Sequence, residues 1–241
     1  MIKRLFLLAL LLGLAACAAP ERALKSKGLG DGGQALPKKL LFIPPDVRVS
    51  EISAGGVVEE VPEWTRKANG YMHDGFAALS RDLRVTTVEP PKLAKDQQDL
   101  LDQHIALYDV VAGNAFSMGR NPDAAWEHKR RDFDYTLGPG LAFMAEQSGA
   151  DAAVFIVGAD FNSTSGRKAA MVVGALLGIA IPGGISYLTA GVVDLKTGNL
   201  LWLNYELDQS SDMREAKDAD QMLHKVFSSY PGLNGAAAGG K

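Results

Sequence analysis

The 241-residue chain contains one cysteine, Cys17. A single thiol excludes an internal disulfide framework and any thiolate metal cluster. Histidine is also scarce. His73, His104, His128 and His224 include no pair at the i, i+4 spacing of a helical metal site, and no His-Glu-x-x-His occurs. No Gly-x-Ser-x-Gly elbow is present, and no nucleophile stands beside an evident base. Positive charge is not in excess either, with 25 Lys and Arg against 28 Asp and Glu. That balance argues against a nucleic-acid partner, which needs a dense basic footprint.

What is present begins at the N-terminus. Lys3 and Arg4 precede an apolar run from Leu5 to Leu14, and small residues lead to Cys17. This order reads as a secretory signal over residues 1–16, too short to span a bilayer as a helix. Leu14-Ala15-Ala16-Cys17 resembles the lipobox of bacterial lipoproteins, in which the cysteine is acylated on sulfur and becomes the first residue. Lipidation would consume the only thiol. Loss of Lys3 and Arg4 leaves 23 basic residues against 28 acidic ones, a mildly acidic mature chain. Ala18 after the cysteine, rather than Asp, points to outer-membrane sorting under the rule of enteric bacteria.

The remaining organisation is expected as follows. Residues 17–37, rich in Ala, Gly, Lys and Ser, read as the lipidated cysteine and a flexible linker, with a reach of about 25 Å. Residues 38–230 form one α/β domain and 231–241 a disordered tail. Leu40 to Ile43 suits a buried strand closed by Pro44-Pro45, and residues 47–61 a hairpin. Helical spacing marks 62–82, 92–117, a polar stretch about 123–135, 139–148 and 212–229. Arg84 to Val88, Ala150 to Asp160, 185–195 and Leu200 to Leu207 read as strands. This alternation implies a mixed β-sheet with helices packed on it.

Two segments carry a resemblance. Gly149-Ala150-Asp151 leads into Ala152-Ala153-Val154-Phe155-Ile156-Val157-Gly158, and Val192-Val193-Asp194-Leu195-Lys196-Thr197-Gly198-Asn199-Leu200-Leu201-Trp202 matches an Asp-x-x-Thr-Gly-x-x-x-Trp hairpin. With the opening strand and the helix before Arg84, this resembles the α/β fold shared by the TolB N-terminal domain, the curli-secretion lipoprotein CsgG and the penicillin-binding-protein activator LpoB. It is most similar to uncharacterised lipoproteins of that superfamily. The resemblance covers most of residues 38–230, although its sharp part is about 20 residues. It implies an adaptor or assembly factor of the cell envelope and, alternatively, an oligomeric component of a secretion machine. The chain departs from CsgG in lacking long alternating hairpins of the kind that build a barrel, since Ile185 to Val193 alternate only weakly.

The hairpin residues have physical roles without the family. Thr197-Gly198 supplies a positive-φ position and a side chain to bond the turn, Asp194 can accept turn amides, and Trp202 would cap the sheet or a groove. These are fold-building roles. Gly158 to Lys168 misses phosphate-loop spacing, with Ala169 where the hydroxyl is needed, so Ser163 or Ser165 is expected to cap a helix. Glu127, His128, Arg131 and Asp132 read as a solvated helix face.

The uncharged stretch Ala169 to Val193 is cut by Pro182-Gly183-Gly184 into pieces too short to cross a membrane as helices. Two readings stand. One is a buried helix followed by a buried strand. In the other, Met171, Val172, Leu176, Leu177 and Ile179 form an exposed apolar helix that docks a partner or the lipid surface, with Arg167 and Lys168 suited to anionic headgroups.

The sequence therefore leads to a non-enzymatic lipoprotein without cofactor or metal. Its lipid anchor would sit in the outer membrane and its domain would face the periplasm. Its partner would be an envelope protein, a homo-oligomer being the alternative. A periplasmic hydrolase whose residues converge only in space is the remaining reading.

Overall fold

The computed structural model describes residues 23–30, 33–120, 128–129 and 132–233. In chain order its strands and helices are β1 (Leu24–Lys25), β2 (Lys39–Phe42), β3 (Asp46–Ile52), β4 (Val58–Glu60), α1 (Pro62–Asp82), β5 (Thr86–Val88), α2 (Lys95–Arg120), α3 (Ala142–Ser148), β6 (Ala152–Ser163), α4 (Ser165–Leu176), β7 (Ser186–Asp194), β8 (Leu200–Asp208) and α5 (Ala216–Phe227). A 3-10 turn, Pro139–Leu141, precedes α3.

The strands form one mixed sheet in the order β1-β8-β7-β6-β2-β5. β6 is its centre. On one side it pairs antiparallel with β7, from Ala152↔Asp194 to Asp160↔Ser186. On the other it pairs in parallel with two successive segments: β2 faces Ala152 to Val154, and β3 faces Val157 to Ser163. Pro44 and Pro45 lie between these segments, where the missing N–H groups would otherwise interrupt the ladder.

Side chains along β6 alternate between two cores. Val154 and Ile156 join Leu40, Phe42 and the apolar faces of α1 and α5, including Met72, Phe76, Leu223 and Phe227. Phe155 and Val157 join Leu41, Leu203 and the buried residues of α2 and α3, including Leu101, Tyr108 and Met144. Burial on both faces explains why β6 reads as a continuous apolar run. The class is α/β, a mixed sheet covered by helices on both sides. A bulge between β7 and β8 pairs Val192 with Trp202 but Val193 with Leu200, so Leu201 is the extra residue.

Helix α1 has the expected limits, with Pro62 at its first turn. The structure corrects four other expectations. Part of the 17–37 stretch is sheet rather than linker: Leu24 and Lys25 pair with Leu203 and Trp202, and Ser26 N donates to Leu201 O at 2.8 Å. Leu29 is fully buried there, and covering the outer edge of β8 satisfies backbone groups that would otherwise stay open. Helix α2 begins three residues later than expected and continues through Gly119 to Arg120. The polar helix expected over 123–135 does not include its last residues. Residues 132–135 are non-helical, and Leu200 N donates to Tyr135 O at 2.9 Å. Finally, the cap before α4 is Thr164, not Ser163 or Ser165, because β6 extends to Ser163 and Ser165 is already helical. Pro231 to Leu233 form a further helical turn at the start of the expected tail. The expected signal peptide, Cys17, Glu127, Arg131 and residues 234–241 lie outside the described residues.

Candidate functional site

Helix α4 leaves the end of the sheet rather than covering a face. Thr164 Oγ1 accepts from Arg167 N at 3.1 Å and starts the helix. Gly178, at φ 74°, ends it. Gly178 N donates to Ala175 O at 3.1 Å and Ile179 N to Gly174 O at 2.7 Å, the paired bonds of a Schellman motif. Gly174 is small for a reason: a Cβ there would meet Ile179 O at 2.9 Å. The chain after α4 thus folds back on the inner side of the helix.

This leaves the outer side in solvent. Val172, Val173, Leu176, Leu177 and Ile179 are 63%, 56%, 83%, 71% and 57% exposed. Ala169, Val172, Val173 and Leu176 follow i, i+3, i+4, i+7 spacing and form one stripe. Met171, from the expected surface set, is instead half-buried and lines a cleft; Val173 takes its place on the stripe. Arg167 is also differently used. Its guanidinium donates to Pro182 O at 2.8 and 3.2 Å and approaches Ser53 O at 3.5 Å, tying α4 to two neighbouring turns. Lys168 remains exposed at the cleft rim. Among the described residues, no helix is long and apolar enough to cross a membrane.

The cleft beside α4 has a volume of about 620 Å³ and runs between α4, residues 182–185 and the loop 209–214. Next in the chain to its lining residues Phe161, Ile185 and Asp212 lies a buried polar cluster that the sequence reading missed. Asp160, 1% exposed, accepts from Ser186 Oγ at 2.7 Å and from Met213 N at 2.8 Å. The same hydroxyl lies 2.8 Å from Ser211 O. Burial raises the Asp160 pKa against the lowering effect of these bonds. A lone acid closing the apolar run Ala152 to Ala159 was the available signal. In the loop above, Arg214 binds Asp212 through two contacts of 2.7 and 2.6 Å and lies 4.5 Å from the Trp64 ring centre. That guanidinium holds the Asp212 carboxyl below the ordinary aspartate range.

The hairpin motif lies at the opposite end of the sheet. Asp194 Oδ1 accepts from Lys196 N, Thr197 N and Thr197 Oγ1 at 3.0, 2.8 and 2.9 Å. Gly198 adopts φ 74°, and a Cβ there would fall 1.9 Å from Gly138 O. Trp202 caps no groove. It is fully buried, stacked on Phe227 at 5.3 Å and edge-on to Tyr230 at 5.3 Å.

The histidines are dispersed. His73 lies on α1 between Asp74 and Glu89, whose carboxylates raise its pKa. His104 is buried on α2 with Nδ1 2.8 Å from Leu100 O, and His224 lies on α5 near Asp220. Among the described residues, no group of three His, Cys, Asp or Glu residues is placed to hold a metal ion.

No family model matches the chain, and no curated protein does. Several solved structures are similar in backbone. The LpoB C-terminal domain from Salmonella enterica is 13% identical with a TM-score of 0.29, over 74% of this chain and 87% of that one. A PelC dodecamer from Paraburkholderia phytofirmans is 11% identical with a TM-score of 0.34, over 86% and 93%. The lipoprotein GNA1162 from Neisseria meningitidis is 13% identical with a TM-score of 0.32, over 85% and 100%.

Proposed function

We propose that this protein is a lipid-anchored, non-catalytic accessory factor of a cell-envelope complex, held at the outer membrane through Cys17 with its domain in the periplasm. The observation that carries the reading is the join between anchor and fold. Cys17, the only thiol, ends Leu-Ala-Ala-Cys and stands seven residues before Leu24, which is already part of the sheet. At no more than about 3.6 Å per residue, that connection holds the domain within ~25 Å of its anchor. Lipoprotein processing adds more than one acyl chain, as stable membrane residence requires.

The exposed stripe of α4 supports a docking role for the domain at the envelope, at a protein or a lipid surface, because an apolar face on a helix otherwise shaped by caps and glycines marks an interaction surface. In this reading residues 1–16 are removed and the domain presents its surface to another envelope protein. Cys17→Ser tests the anchor. Fractionation should move the variant from the outer membrane to a soluble pool, or leave it as an unprocessed precursor lacking incorporated fatty acid. Unchanged outer-membrane partitioning with normal signal cleavage would sink the proposal.

A further inference from the structure

We infer that the outer stripe of α4 docks on the same lipid surface that holds Cys17, so that the anchored domain stands on the membrane by one defined end. The inference rests on the anchor reading above. It follows from the direction in which the chain enters the sheet.

β1 is antiparallel to β8, with Leu24 opposite Leu203 and Lys25 opposite Trp202. Its N-terminal end therefore points along β8 toward Asp208. Asp208 pairs with Ser186, and Ser186 with Asp160, so this is the end at which β6 passes into α4. The turn Lys196 to Asn199 marks the other end. Reach alone would allow the anchor to serve either end. The direction of β1 selects the one that carries α4.

The chemistry of that end agrees. From residue 161 to 193 the only charged side chains are Arg167 and Lys168. Arg167 is occupied by carbonyl oxygens, and Lys168 is exposed at the foot of the stripe, where it can meet a phosphate headgroup. Glu51 and Glu59 on the neighbouring hairpin oppose an anionic surface, so docking depends on apolar burial more than on charge. Four or five inserted side chains would bind weakly alone. The covalent anchor makes the contact intramolecular, at an effective concentration near millimolar.

A second copy fits this face less well. A helix of 12 residues is ~18 Å long and ~10 Å across, offering about 200 Å², against the ~800 Å² per partner of a stable interface. A bilayer imposes no such minimum.

Acylation of Cys17 leaves any introduced cysteine as the single free thiol, which makes the test direct. Full-length lipidated protein carrying Leu176→Cys or Lys196→Cys is labelled with bimane and reconstituted into vesicles of phosphatidylethanolamine and phosphatidylglycerol containing brominated acyl chains. The label at 176 should lose most of its emission to the brominated lipid, and the label at 196 should keep it. Equal, low quenching at both positions in protein that floats with the vesicles overturns the docking while the anchor reading stands. A label at 176 that is shielded from aqueous iodide yet not quenched by lipid shows a protein surface there, and also overturns it. Failure of the lipidated chain to float with the vesicles removes the anchor reading and this inference with it.

Discussion

Asp160 shows how one side chain joins distant parts of the molecule. Its two oxygens hold the first residue of β7 and the loop before α5, so its loss would free both. Because burial raises its pKa, the folded state binds the proton more tightly than the unfolded chain. The stability this contributes is present below the ordinary aspartate value of about 4 and is lost as pH rises through the folded value. Asp160→Asn retains an acceptor for Met213 N, while Ser186 can donate to Ser211 O and accept from the new amide. Thermal melts of variant and wild type should therefore diverge in the variant's favour as pH climbs from about 4, with 1 kcal/mol appearing as ~2–4 °C in a domain this size. A difference that stays constant with pH would count against a raised Asp160 pKa. Asp160 is not visible in a periodicity reading, which treats the last residue of an apolar strand as its exit into solvent.

Elements were legible where local chemistry decides them. Gly198 and Gly178 share φ 74° but differ in surroundings: open space lies around Gly178, and Gly138 O stands against Gly198. Gly178→Ala should cost about 1–2 kcal/mol, the strain of the left-handed region. Gly198→Ala should cost roughly 3 kcal/mol or more, since the backbone of residue 138 must also move. Denaturant midpoints for the two variants would rank them, and equal losses would show that strain alone acts. The sequence suggested the left-handed role of Gly198 through Asp194 and Thr197. It gave no hint of the Gly138 contact, which joins positions 60 residues apart. Likewise, spacing placed an apolar helix after residue 165 but left its burial open, because a stripe has the same period whether it faces a core or solvent. The inner contact of Gly174 with Ile179 and Ile181 settles which way it turns.

For the whole molecule, the central strand and both flanking helical layers were readable from apolar patterning, and the N-terminal edge was not. Ala-, Gly- and Lys-rich composition looks the same in a tether and in a strap laid along a sheet edge. Leu29 is what fastens the strap. Leu29→Ala removes a fully buried side chain from the α1 and α5 core, a loss of about 2–5 kcal/mol. Hydrogen exchange at Ser26 N, which bonds Leu201 O, should accelerate well before exchange in β6. Uniform acceleration across the sheet would show that the edge does not open separately.

The double pairing along one side of β6 also sets an order of events. β3 has no parallel neighbour, and β2 none besides β5, until a strand roughly 110 positions later in the chain arrives, and closures of that length slow folding. In the exported, anchored reading proposed above, the first half of the domain crosses the inner membrane and waits with open strand edges until residue 163 has followed. In that reading the waiting chain needs periplasmic holding chaperones, and its yield should be limited by the time needed to deliver β6 rather than by the stability of the finished sheet.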